Sequence, residues 1–130
     1  MSSKIFDLTG KVALVTGGSK GPGKEMARGL VDIAISSRHE DELKAALEEI
    51  LHGTSRRGRY FVADMSRRDE TERLARDALQ AMGRVDILVN NAGTNVPQPI
   101  DEIRDEDWDR VLEINLSSIM ALTRALVPQM

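Results

Sequence analysis

Val12-Ala-Leu-Val-Thr-Gly-Gly-Ser-Lys-Gly-Pro-Gly23 decides how the rest of the chain reads. An apolar, β-branched run leads straight into a loop with four glycines, and helix-forming residues follow. A buried strand feeding a Gly-rich turn and a helix N-terminus builds an anion site. Glycine lets backbone N–H groups come close, and the helix dipole favours negative charge. The loop alone leaves three readings: a plain strand-to-helix turn, a nucleoside-triphosphate loop or a dinucleotide loop. Gly18 to Lys24 fits G-x-x-x-x-G-K, but Glu25 follows where a hydroxyl must hold Mg²⁺, and a carboxylate there repels phosphate. That argues against the triphosphate loop.

Outward from the loop, Val12–Thr16 suits a strand buried on both faces of a parallel sheet. Lys24–Leu30 reads as a helix with Met26, Ala27 and Leu30 on its apolar edge, and Val31–Ser36 as a second strand. Glu40–Leu51 is amphipathic, with Leu43, Leu47, Ile50 and Leu51 in one stripe. Tyr60–Ala63 is a third strand ending at Asp64. Ser66-Arg-Arg-Asp69 reads as a capping box that opens a helix to Met82, closed by Gly83. Val85–Asn90 is the fourth strand. After a polar loop, a last helix begins near Glu106. Trp108, Val111, Leu112, Asn115, Ile119 and Leu122 share one of its faces, and Pro128 ends or kinks it. Strands alternating with helices predict an α/β fold, a Rossmann-type doubly wound parallel sheet with strand order 3-2-1-4. At 130 residues, 1–130 is a single domain. The first crossover is short, since Lys24–Leu30 spans only about 10 Å as a helix.

Composition narrows the functional classes. A net charge of −3 gives no general attraction to nucleic acid or anionic membrane. Arg56-Arg57-Gly-Arg59 and Arg67-Arg68 are the basic clusters, and without interleaved aromatics they read as solvated surface. The absence of cysteine removes disulfides and thiolate chemistry, and His39 and His52 are too few for a metal site. No apolar run approaches the roughly 20 residues of a membrane span, so a cytoplasmic, soluble protein is the expectation.

Thr16-Gly17-x-x-x-Gly21-x-Gly23, Asp64, Asp86-Ile-Leu-Val-Asn-Asn-Ala-Gly93 and Ile114-Asn115-Leu116 together resemble a short-chain dehydrogenase/reductase, over essentially the whole chain and in the expected order. The resemblance implies an oxidoreductase that moves a hydride between a nicotinamide cofactor and a ketone or secondary alcohol. It implies that Gly17, Ser19, Lys20, Gly21 and Pro22 line the cofactor phosphates and ribose. Asp64 and Met65 would meet the adenine, Asn91, Ala92 and Gly93 the ribose and nicotinamide side, and Asp86 would be structural. Asn115 would belong to the catalytic set. It also implies a homodimer or homotetramer through the last helix. Pro22 and Ser118 depart from the family pattern. Independently, Asp64 and Asn90–Gly93 fall at the carboxyl ends of parallel strands, where open α/β sheets bind ligands.

The second strand ends Ser36-Ser37-Arg38, without the carboxylate that would take a ribose 2′-hydroxyl. Arg38 offers a planar cationic fork to a 2′-phosphate, and Lys20 a second charge, so NADP(H) is expected over NAD(H). The family's catalytic Ser, Tyr and Lys have no counterpart here. Tyr60 is the only tyrosine and has Asp64 four residues on. The chain therefore reads as a cofactor-binding half, with about four residues also missing between Leu30 and Val31 by comparison with the family. Thr94–Pro99 would form one wall for a small-molecule substrate. Its Asn95 and Gln98 suit a sugar acid, and a 3-oxoacyl thioester stays open. The rival reading is a non-catalytic nucleotide-binding or regulatory fragment.

Overall fold

The computed structural model describes residues 4–29 and 32–130. Four parallel strands form one sheet in the order β3-β2-β1-β4: β1 Val12–Thr16, β2 Asp32–Ser37, β3 Gly58–Val62 and β4 Ile87–Val89. β1 is central and wholly buried. Its register runs Val12 to Asp32 and Thr16 to Ser36 on one side, and Ala13 to Ile87 on the other. The α/β fold and the strand order are as the sequence predicts.

Alternation along the strands feeds two cores, because successive side chains leave opposite faces. Ala13, Val15, Ile33 and Ile35 pack against α1 (Gly21–Arg28) and α2 (Glu40–Leu51) through Ala27, Leu43, Ala46 and Ile50. Val12, Leu14 and Ala34 pack against α3 (Arg68–Met82) and the last helix through Leu74, Ala78, Met82, Ile114, Leu122 and Leu126. The helices thus cover both sheet faces and leave the carboxyl ends of the strands open.

Several boundaries move, each for a local reason. α1 starts at Gly21 instead of Lys24, with Pro22 in its first turn, where a missing N–H costs little. Met26 is exposed, so the expected apolar edge reduces to Ala27 there. Leu30, Val31 and the proposed gap between them lie outside the described residues. Ser66 does not cap α3, because its hydroxyl donates to Asp64 Oδ1 at 2.7 Å and the helix begins at Arg68. β3 runs Gly58–Val62 instead of Tyr60–Ala63, so it starts earlier, with Gly58 beneath the leucines of α2. β4 shrinks to three residues because a side chain takes over at its start. Val85 N–H donates to Gln129 Oε1 at 3.1 Å, and Gln129 Nε2 donates back to the Val85 carbonyl at 2.7 Å.

The last helix is continuous over Asp105–Gln129, and its 25 residues are long and apolar enough, by length and composition, to cross a membrane. This corrects the expectation of no such stretch. One face nonetheless packs on α3 within the core. The helix comprises α4 (Asp105–Leu112), a π turn over Glu113–Ser117 and α5 (Ser118–Leu126). The π turn splits the predicted face. Trp108, Leu112 and Asn115 are exposed, whereas Ile114, Ser118, Ala121 and Leu122 are buried.

The basic cluster at 56–59 is not simply solvated. Arg56 donates to the carbonyls of Arg28 at 3.1 Å and Ile50 at 2.9 Å, and Arg57 donates to that of Met82 at 3.0 Å. Two consecutive arginines therefore meet the C-terminal ends of three helices, where the dipole favours cations.

Candidate cofactor cleft

Thr16 organises the open end of the sheet. Its buried hydroxyl accepts from the N–H groups of Asn91 at 3.1 Å and Ala92 at 3.0 Å, and donates to the Val89 carbonyl at 3.4 Å. The Gly-rich loop is tied on both sides. Gly17 N–H donates to Ser36 O at 2.8 Å, and Asn91 Nδ2 donates to Gly17 O at 3.2 Å. Gly17 has φ +66, a left-handed conformation suited to glycine. A Cβ on Gly23 would stand 2.3 Å from Gly17 O and 2.4 Å from Asn91 Nδ2. The loop can close this tightly only with glycine at 23.

Beside it lies a cleft of about 240 Å³, room for one end of a dinucleotide. Of the residues expected at a cofactor, Gly17, Ser37, Arg38, Asp64, Met65, Asn91, Ala92 and Gly93 line it. Ser19, Lys20, Gly21 and Pro22 lie outside this lining, on the continuing loop and first turn of α1. Lys20 pairs with Glu42 of α2 at 3.0 Å. Asn115 is also outside the lining and is exposed, contrary to a buried amide on an apolar face. Its amide grips the backbone of Thr94, which does line the cleft.

Ser36, Ala63, Arg110 and Ile114 complete the lining, and sequence reasoning assigned none of them to the cofactor. For Arg110 and Ile114, the four-residue spacing on one helix was the available signal. Asp64 is ionised more readily than an ordinary aspartate. Burial opposes its charge, but the Ser66 hydroxyl and N–H, with the fields of Arg38 and Arg110, outweigh it. Asp86 stands below the sheet's far end. Its Oδ2 accepts from Val12 N–H at 2.9 Å while Arg84 holds Oδ1, a structural use.

These residues fit a nicotinamide dinucleotide. Among the described residues no side chain caps α1, so its first-turn N–H groups remain for a diphosphate, less the one that Pro22 lacks. The close approach enforced by Gly17 and Gly23 keeps that end uncluttered.

Known proteins share this sequence and architecture. The family model described as short chain dehydrogenase matches residues 11–130. Nodulation protein G of Rhizobium sp. (strain N33) is 41% identical over 127 residues, covering 97% of this chain and 51% of its own length. The crystal structure of a metagenomic short-chain oxidoreductase in complex with NADP superposes with a TM-score of 0.87 at 33% identity, covering 95% of this chain and 57% of that one. L-sorbose reductase from Gluconobacter frateurii, complexed with NADPH and L-sorbose, gives a TM-score of 0.88 at 30% identity, covering 96% and 49%. The chain spans about half the length of the curated relatives it matches.

Proposed function

Because this chain belongs to the short-chain dehydrogenase family, we propose that residues 1–130 form the single NAD(P)-binding domain of an oxidoreductase that prefers NADP(H). The observation that carries the preference is the end of β2. Ser37 and Arg38 line the cleft there, and no carboxylate stands at the strand's end to take a ribose 2′-hydroxyl. Arg38 makes no hydrogen bond or ion pair among the described residues, which leaves its fork for a 2′-phosphate. The NADP and NADPH in the two neighbouring structures support the same choice.

In this reading Gly17, Ser19, Lys20, Gly21 and Pro22 face the phosphates and ribose, with Lys20 leaving Glu42 to do so. Asp64 and Met65 face the adenine, and Asn91–Gly93 the ribose and nicotinamide side. The bound cofactor supplies or takes the hydride. The residues of this chain bind and orient it, and Asn115 holds Thr94 at the wall where a substrate would sit. That substrate is a ketone or secondary alcohol of the sugar-acid or 3-oxoacyl type. The L-sorbose in one neighbour favours the polyhydroxylated class.

The general acid/base would come from Ser, Tyr and Lys outside these residues. Tyr60 donates to Glu40 at 3.0 Å and is not among the cleft residues. The second reading is a non-catalytic nucleotide-binding or regulatory protein. The exposed Trp108, Leu112, Leu116 and Met120 recur every fourth residue and support a homodimer or homotetramer through this helix. A cytoplasmic location fits a nicotinamide-linked reaction.

Titrating the full-length protein with NADPH and NADH tests the reading. NADPH is expected to bind tighter, and Arg38→Ala to weaken it about tenfold or more while leaving NADH nearly unchanged. Tighter binding of NADH overturns the preference. NADPH binding without turnover of any ketone, across sugar and 3-oxoacyl substrates, favours the non-catalytic reading.

A further inference from the structure

Arg110 lies one helical turn before Ile114, and both residues line the cleft. Two acids beside it on its own helix pair elsewhere. Glu113 pairs with Arg68 at 3.2 Å, and Asp107 with Arg104 at 3.9 Å. No hydrogen bond or ion pair holds the Arg110 guanidinium among the described residues, although the residue is half-buried. A cation held at a cleft wall with its N–H donors unspent is poised for a ligand atom.

Asp64 stands within electrostatic reach of Arg110 on this wall. One carboxylate oxygen, Oδ1, accepts both the Ser66 N–H at 2.9 Å and the Ser66 hydroxyl at 2.7 Å. The other, Oδ2, has no hydrogen-bond partner among the described residues. One wall therefore sets a fixed acceptor near a five-donor fork. Arg38 reaches the same cleft from the end of β2, whereas Arg110 comes from the last helix. The two arginines thus approach the cleft from different elements, and both act on Asp64.

Adenine carries a complementary pattern. Its exocyclic 6-amino donor is flanked by ring nitrogens N1 and N7, both acceptors. We propose that Arg110 reads the adenine ring, donating to a ring nitrogen beside the 6-amino group while Asp64 Oδ2 accepts from that amino group. The inference rests on the dinucleotide reading above, and it gives Arg110 a base-specific role distinct from the 2′-phosphate role of Arg38.

The test uses adenosine 2′,5′-bisphosphate and its 7-deaza and 1-deaza counterparts, which replace one ring nitrogen by C–H. Affinities for the full-length protein are measured by calorimetry, with no catalysis involved. The wild type should bind one of the deaza ligands about tenfold more weakly than the parent, the scale of one charged hydrogen bond. In Arg110→Met that gap should close, the parent falling to the level of the deaza ligand, and Arg110→Lys should restore part of it. Equal wild-type affinity for all three ligands overturns the proposal even if neither variant folds. A gap that persists in Arg110→Met overturns it as well, as does uniform weakening of all three, which marks a stacking or field effect. Failure of the wild type to bind the parent compound overturns instead the dinucleotide reading on which the proposal stands.

Discussion

The side-chain amide of Asn115 pairs with the backbone of Thr94 as a neighbouring strand would. Oδ1 accepts from the Thr94 N–H at 2.8 Å, and Nδ2 donates to the Thr94 carbonyl at 2.8 Å. Gln129 does the same for Val85. Two amide side chains thus pair with backbone on either side of β4, Gln129 just before the strand and Asn115 past the Asn91–Gly93 loop.

Asn115→Asp keeps the shape but turns the donor into an acceptor facing the Thr94 carbonyl. The loss should cost about 1–3 kcal/mol locally and loosen the loop from Gly93 onward. In the full-length protein, cofactor affinity should change little while turnover of the substrate falls about tenfold or more. Unchanged turnover would show that the grip on Thr94 is dispensable.

Gly21 and Gly23 are both glycines of the loop, and they should respond differently to alanine. Gly21 has φ +53 and open space around its missing Cβ, so Gly21→Ala should cost only about 1–2 kcal/mol of backbone strain. Gly23→Ala drives a methyl group into Gly17 O and Asn91 Nδ2. It should lower the melting temperature further and weaken nucleotide binding more than tenfold. Equal effects of the two substitutions in thermal melts and titrations would refute the close-approach argument.

Asp86 should shape the acid limb of stability. The Arg84 guanidinium lowers its pKa against burial, with help from the Val12 N–H and the field of Lys11. A carboxyl lowered in the fold stabilises it above the unfolded value of about 3.9 and loses that contribution as pH falls through the folded value. Asp86→Asn should therefore be less stable at about pH 7 and show a flatter loss of stability towards about pH 3. Urea unfolding across that range checks it. A slope equal to that of the wild type would assign the acid limb to other carboxylates.

Arg57 should matter for stability and not for binding. It reaches Met82 O and Asp32 at the amino ends of the strands, away from the cleft. Arg57→Ala should cost about 1 kcal/mol and leave the NADPH affinity unchanged. Denaturant melts and a titration separate the two, and a parallel loss of affinity would contradict the assignment.

What the sequence made legible depended on regular periodicity. Val12–Thr16 and Asn90–Gly93 announce a buried strand and an open strand end, because burial on two faces needs a continuous apolar run. Eight of the residues expected at the cofactor converge on one cleft for the same reason, being anchored to strand ends. Spacing failed where hydrogen bonds override it. Asn115 reads as buried because it shares an apolar face with Trp108 and Leu112, but that face is exposed in the fold and Asn115 with it. Ser66 has the sequence of a cap, yet the Asp64 carboxylate is a stronger local partner for its hydroxyl. Arg56 and Arg57 look like free surface charge, because helix ends brought together by the fold are invisible in a linear string.

The π turn at Glu113–Ser117 has a further effect. A π turn holds one residue more than an α turn, so it acts as a phase adjuster set between two lengths of one rod. Upstream, Arg110 is free to face the cleft, and downstream, Leu122 and Leu126 are locked into the interior. The turn thereby sets the rotation of Arg110 about the helix axis relative to Leu122 and Leu126. Deleting a single residue inside the turn would change that rotation and swing the wall of the cleft out of line.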